Sequence, residues 1–352
     1  MAHKVEKMFS VVEGGANAPR HKLPWHYDET GADGRTLILE QNPETWAEVR
    51  PLAGLDWDPV EEPLYRKTAG VGPDGPTEGY EQVEGHKLIV RSDSGLVLDT
   101  ALEQYELITN TDMGEIIDTF MTGHKIAFET AGCLDEGRQV WAMLQVGDLL
   151  EIKGDPSPTA RYIALLNRHD GHGACKAIAT NIRIVCANTW HYADTTSEAN
   201  ATTFAFHHRS QWRQKVKEIQ DDVKKALSGA EKEAKAYAEL AEDMIMKSVT
   251  PEQEKAFVDE WVYPTKNEHK LKPKAHENVT VARQQVATIL ASDTCEGIRG
   301  TAYGLMQGAG EYLDHYRTYK NTDTLMGRTV FTQDKLKIRA RNLAVLAADG
   351  RL

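Results

Sequence analysis

The chain is poor in cysteine: Cys133, Cys175, Cys186 and Cys295 are the only four in 352 residues, and no two form a Cys-x-x-Cys pair. Thiols so few and scattered exclude a disulfide framework and a zinc ribbon, and they are expected to be reduced. No run reaches the ~18 apolar residues of a membrane span, and the opening Met-Ala-His-Lys-Val-Glu-Lys lacks the apolar stretch of a signal peptide. A cytoplasmic protein with no membrane partner is the expectation. Also absent are a Gly-x-Ser-x-Gly elbow, a Gly-x-Gly-x-x-Gly that opens a helix after a strand, and a true P-loop. Gly171-His-Gly-Ala-Cys-Lys176 has the wrong spacing for one. No cofactor is expected, and the sequence leans away from an enzyme without excluding one.

What the sequence does hold is charge, unevenly placed. Residues 1–160 carry 13 Lys and Arg against 29 Asp and Glu, a net −16. Residues 161–217 carry eight against three, a net +5, and the remainder carries 20 against 21. An acidic chain therefore contains one basic island. It comprises Arg161, Arg168, Lys176, Arg183, Arg209, Arg213, Lys215 and Lys217, interleaved with aromatics that include Trp190 and Trp212. Cations along a groove and flat side chains for base stacking are what single-stranded nucleic acid requires. Arg161, Arg168, Lys176, Arg183, Trp190, Arg209, Trp212, Arg213 and Lys217 are the candidate binding residues. The plainer alternative is an Arg-rich set of strands whose aromatics are packing residues.

The length suggests about two domains at roughly 150 residues each, and 41% hydrophobic with 27% charged residues is a globular balance. Residues 10–35 and 65–85 are rich in Gly, Pro, Asp and Glu and read as loop. A short helix is expected over Thr45 to Ala53 and another over Met113 to Thr122, where apolar residues keep helical spacing. His86–Arg91 and Gly95–Leu98 read as a hairpin, and 124–190 as a meander of strands joined by short turns, hence antiparallel. After Thr203 the pattern turns helical. Trp212, Val216, Ile219, Val223, Ala226, Ala230, Ala234, Tyr237, Ala241 and Met244 step by threes and fours, a heptad seam with one stutter. That rod, roughly 60 Å for about 40 residues, must pack its stripe on its own chain or on a neighbour, and a homo-oligomer is expected. Thr250-Pro-Glu-Gln253 is a capping sequence for the next helix. Further helices are expected near 278–291, 298–319 and 332–347. The fold class is α+β, with a strand-rich domain over 1–204 and a helical region over 205–352.

Two clusters invite a metal. His169-Asp-Gly-His172 with Cys175 has ligand types at close spacing, but a hairpin turn flanked by histidines explains it equally, and four structural-zinc ligands are not found. Glu311, Asp314 and His315 share a helix face, and facing water is the expected role. Glu129-Thr-Ala-Gly-Cys133 places a carboxylate near a thiol without a recognisable base. No metal site is expected.

Several stretches in fixed order carry a resemblance: Met8-Phe-Ser10, Pro24-Trp-His26, Ala53-Gly-Leu-Asp-Trp57, Glu129-Thr-Ala-Gly132, Val140-Trp141, Gly154-Asp155, His169-Asp-Gly171 and Arg183-Ile-Val-Cys-Ala-Asn-Thr189. Together with Glu311-Tyr-Leu-Asp-His315 they make the chain similar to the phage/plasmid-like protein family built on the domain of unknown function 932. Tyr27-Asp28 and His172 depart from its pattern. The resemblance implies a mobile-element origin and supplies no catalytic residues. A phage or plasmid protein that binds single-stranded DNA, as an annealing or recombination factor, is the leading expectation. An enzyme of nucleotide metabolism or host takeover, or a helix-mediated interaction protein, are the alternatives.

Overall fold

The computed structural model describes residues 8–11, 36–39, 41–72, 75–122, 124–171, 175–183, 188–190, 203–206, 216–318 and 335–352. Eleven strands are described: β1 Met8–Val11, β2 Thr36–Leu39, β3 Pro59–Gly72, β4 Gly75–Arg91, β5 Val97–Leu102, β6 Ile126–Leu134, β7 Gln139–Val146, β8 Thr159–Arg168, β9 Cys175–Arg183, β10 Asn188–Trp190 and β11 Thr203–Phe206. The α-helices are α1 Trp46–Leu52, α2 Asn110–Met121, α3 Val216–Ile245, α4 Pro251–Val262, α5 Pro273–Leu290, α6 Ala302–Glu311 and α7 Lys335–Ala348. The fold is α+β, with sheets in the N-terminal and central parts and helices in the C-terminal half.

The larger sheet has eight strands in the order β10-β9-β8-β7-β6-β1-β2, with β11 also pairing β9. Its pairs are antiparallel apart from β1 with β2. Alternation sorts the central strands into two faces. Phe128, Val140, Ala142, Leu144, Ile163, Leu165, Cys175 and Ala177 lie in one core with α1, α2 and the first half of α3. Trp141, Met143, Tyr162, Ala164, Ile178 and Ile182 form a second buried cluster on the opposite face. Both faces are therefore dry, which is why these strands read as nearly continuous apolar runs.

Local chemistry fixes the helices at the sheet. Thr45 accepts from the Glu48 amide to start α1, and Thr109 with Asp112 forms a reciprocal cap on α2. The two helices cross where Gly114 leaves no room for a side chain: a Cβ there would lie 2.2 Å from Trp46 Cδ1. Likewise Thr250 and Gln253 cap α4 reciprocally, as their spacing announces. α3 runs 30 residues, about 45 Å, within the described part of the expected longer rod. From Ala230 to Met244 its apolar stripe is covered by its own chain. Leu227 and Ala230 join the sheet core, while Tyr237, Ala241 and Met244 join a helical core with α4, α5, α6 and α7. From Ala230 to Met244 the stripe therefore packs on its own chain, the first of the two expected alternatives.

A second correction concerns residues 65–85. The Gly- and Pro-rich stretch expected to be loop is a long β ribbon, β3 paired with β4 in register from Pro59↔Arg91 to Gly72↔Gly75, with an irregularity between Pro63 and Tyr65. Only the base of the ribbon is widened, by β5 against residues 86–90. No helix among the described residues is long and apolar enough to cross a membrane.

Candidate nucleic-acid interface

Four of the sequence-selected cations fall on adjacent strands. Arg161 and Arg168 lie on β8, Lys176 and Arg183 on β9, and the register sets Arg161 opposite Asn181, Leu166 opposite Lys176 and Thr159 opposite Arg183. They do not share one place. Seven residues of strand put Arg161 and Arg168 about 23 Å apart. Alternation also directs Arg161 to the face of Ile163 and Leu165, and Arg168 to the opposite face with Leu166. The single groove expected to collect all four is corrected to two sets, at opposite ends of the strands.

At the first end, Arg161 is held by its surroundings. Its Nη2 donates to the Asp148 carbonyl at 3.0 Å, and the guanidinium lies over Gly147, where a Cβ would come within 2.5 Å of Nη2. Gly147 also has φ +65, so only glycine suits the position twice over. Lys125 ion-pairs with the Asp148 carboxylate and holds it below the usual carboxylate range. β10 closes this end of β9, with Trp190 opposite Asn181. Asn181 Nδ2 donates to the buried carboxylate of Glu233 on α3, which fastens the helix to the sheet here.

At the second end, Arg168 forms an ion pair with Asp170, whose side chain is 5% exposed. Arg138, which the basic-island count passed over, donates Nε to the Leu98 carbonyl and pairs with Glu136 at 3.0 Å. Lys176 is exposed and makes no ion pair with any described residue. These arginines are partly neutralised, and Lys176 is the cation of this end that presents an open charge. Lys217 lies in the first turn of α3. Arg209, Trp212 and Arg213 lie outside the described residues, and with them the expected four-residue ladder into the helix.

Beside the second end, motif residues from distant parts of the chain meet. His169 is buried and its Nε2 lies 2.9 Å from Asn110 Oδ1. Asn110 Nδ2 donates to the Trp57 carbonyl at 2.8 Å, so Oδ1 is the atom facing the histidine and Nε2 carries the donating proton. The Trp57 ring meets His169 edge-on, with centroids 5.7 Å apart, and Arg91 lies 4.3 Å from the Trp57 centroid on its face. The turn Asp135-Glu136-Gly137 takes φ values of 55, 58 and 95, and a Cβ on Gly137 would lie 2.5 Å from Trp57 Cζ2. Two non-glycine residues in this region cost roughly 1–2 kcal/mol each. Arg91 Nη1 holds the turn through the Glu136 carbonyl.

This geometry gives His169 a packing role. Cys175 is buried and its thiol is pushed up to about 12 by desolvation, which keeps it protonated and a poor ligand. His172 lies outside the described residues, and no cluster of three ligating side chains exists among the described ones. Glu311 and Asp314, expected to face water, are instead buried, which corrects that reading. Thr294 Oγ1 donates to Glu311 at 2.6 Å, and Lys337 Nζ lies 2.7 Å from Asp314. After Glu311 the helix widens to a π-turn at Tyr312–Tyr316, and Asp314 within that turn is the carboxylate that meets Lys337 of α7.

A family model described as a domain of unknown function, DUF932, matches residues 97–336, which is 240 of the 352 residues. The match takes in β5 through α6 and the start of α7. No curated protein and no solved structure matches the chain.

Proposed function

The chain belongs to the DUF932 family, and from that premise we propose that it binds single-stranded nucleic acid through the 161–217 region. The observation that carries the reading is the open charge of Lys176 on β9, within a basic stretch of an acidic protein. That stretch continues through Arg209 and Arg213 to Lys217 at the start of α3, and Trp212 lies among them for stacking. A stacked base is worth about 1–3 kcal/mol. The acidic first 160 residues do not cancel such a patch, because physiological salt screens beyond about 8 Å. The resemblance to phage/plasmid-like proteins supports a mobile-element setting, and with it a role in annealing or recombination of DNA strands.

Fluorescence anisotropy with a labelled oligonucleotide tests the reading. Affinity is expected to fall with salt, at a slope of about −0.7 in log–log form per phosphate neutralised on a single strand. Arg209→Glu with Arg213→Glu is expected to abolish binding and leave the melting curve unchanged. Wild-type protein that shows no binding at low salt, where phosphate contacts are strongest, would remove this function.

A further inference from the structure

The corner between α4 and α5 is a second place where cations gather. Residues 264–277 hold Lys266, Lys270, Lys272 and Lys274 against Glu268 and Glu277, a net +2 before His269 and His276 are counted, in a chain whose net charge is −12. All four lysines and both histidines are exposed. The 3-10 turn Thr265–Lys270 buries none of its residues, and Leu271 and Lys272 are extended before α5 begins at Pro273.

The acids of the corner are spent on holding it together. Glu268 pairs with Arg283 at 3.0 Å and lies 3.2 Å from His276, while Arg283 Nη2 donates to the carbonyls of Asp259 and Tyr263. Glu260 Oε2 accepts from the Thr265 amide at 3.1 Å, which ties the turn to α4. Glu277 pairs with Lys274 at 3.1 Å. Lys266, Lys270 and Lys272 are left over, and none of the three makes an ion pair with any described residue. α7 extends the charge. Arg339 Nη2 donates to the Glu260 carbonyl, so the face of α7 that carries it lies against this corner, and exposed Lys335, one helical turn earlier, shares that face. Two segments distant in sequence, 266–272 and 335–339, thus contribute to one positive surface.

What the corner lacks decides the partner. Residues 264–277 contain no Phe, Tyr or Trp, and no large apolar residue among them is exposed. A protein interface needs an apolar or aromatic centre and is depleted in lysine, and a single strand is gripped by stacking its bases on aromatic rings. A duplex needs neither. It offers one phosphate per ~1.7 Å of its axis and is held at its backbone by lysines without regard to sequence.

We propose that the α4–α5 corner, with the start of α7, is a contact for the phosphate backbone of double-stranded DNA. The surface lies outside the 161–217 stretch and does not depend on the single-strand reading. Where both hold, one molecule carries single strand and duplex on different residues.

Fluorescence anisotropy of the full chain with a labelled DNA duplex tests the contact, and vesicles rich in phosphatidylserine serve as a second polyanion. The wild type is expected to bind the duplex, with affinity falling in salt at a log–log slope of about −0.9 per phosphate neutralised. Lys270→Glu with Lys272→Glu, at exposed positions where folding is not at stake, is expected to weaken duplex binding about tenfold or more and to leave the melting curve unchanged. Lys270→Gln with Lys272→Gln is expected to flatten the slope by about one unit per lysine. Arg209→Glu with Arg213→Glu is expected to leave duplex affinity as it is. No duplex binding by the wild type at low salt, or duplex affinity indifferent to both lysine variants, would overturn the proposal. Lysine variants that release the protein from the vesicles but keep it on the duplex would assign the corner to a lipid surface and overturn it likewise. Duplex binding without any single-strand binding would uphold it and reject the 161–217 function alone, and single-strand binding without duplex binding would do the reverse.

Discussion

Asn110 uses its polar atoms where water cannot replace them. It is fully buried, its Nδ2 serves the Trp57 carbonyl, its Oδ1 serves His169, and its backbone carbonyl accepts from Trp46 Nε1 at 2.7 Å. Asn110→Ala removes the side-chain partner of two buried groups at about 1–3 kcal/mol each, and a loss of about 2–6 kcal/mol in urea unfolding is expected. The thiols make a second residue-scale prediction. Cys133, Cys175 and Cys295 are buried, so none of the three should react with a thiol reagent until the protein unfolds. Cys175 keeps its proton up to about 12 in the fold, against 9 for an ordinary thiol. The sign follows: this contribution to stability is complete below pH 9 and is lost between 9 and 12, as the unfolded chain ionises first. Burial raises Tyr105 also and adds to the same alkaline loss. Alkaline unfolding of Cys175→Ala should accordingly be less steep than that of the wild type.

Elements were legible in the sequence where their own residues decide them. Thr250 and Gln253 announced the cap of α4, and the alternation of β8 announced a strand, because both signals are local. The β3–β4 ribbon was hidden because it buries no face, so its residues show no apolar alternation, and its glycines and prolines imitate a loop. The stripe of α3 was legible as a stripe but not as to its partner. Ala230 is only 8% exposed and belongs to the sheet core. Ala230→Glu is expected to lower the melting temperature by burying a charge, at a cost of several kcal/mol, and not to act on assembly selectively. The candidate site was legible in part: strand neighbours could be inferred, but strand ends could not. The pairing of Arg168 with Asp170 was hidden for the same reason, because Asp170 lies in the bend after β8 ends, where strand alternation no longer applies.

At the scale of the whole molecule, α3 runs through both halves, beside the β7–β8 connection, whose Ile152 also enters the helical core. Leu227 and Ala230 lie in the core beneath the sheet, Tyr237, Ala241 and Met244 in the core among the helices, and Ala234 between them is 2% exposed. Tyr237 is tied further into the helical core, where Gln307 Nε2 donates to its hydroxyl at 2.9 Å. A continuous helix that serves two cores transmits the loss of either one to the other, because fraying it strips apolar contacts from both. One calorimetric transition is therefore expected, with hydrogen exchange at Leu144 of β7 and Met306 of α6 reporting the same opening free energy. Ala234→Pro removes a backbone donor and breaks the helix between the cores, at roughly 3 kcal/mol or more. The transition should then split in two, with sheet and helical amides exchanging at different rates. Two transitions already present in the wild type would mean that the helix lies across both cores without coupling them, and that Glu233 on Asn181 is a local fastening of helix to sheet.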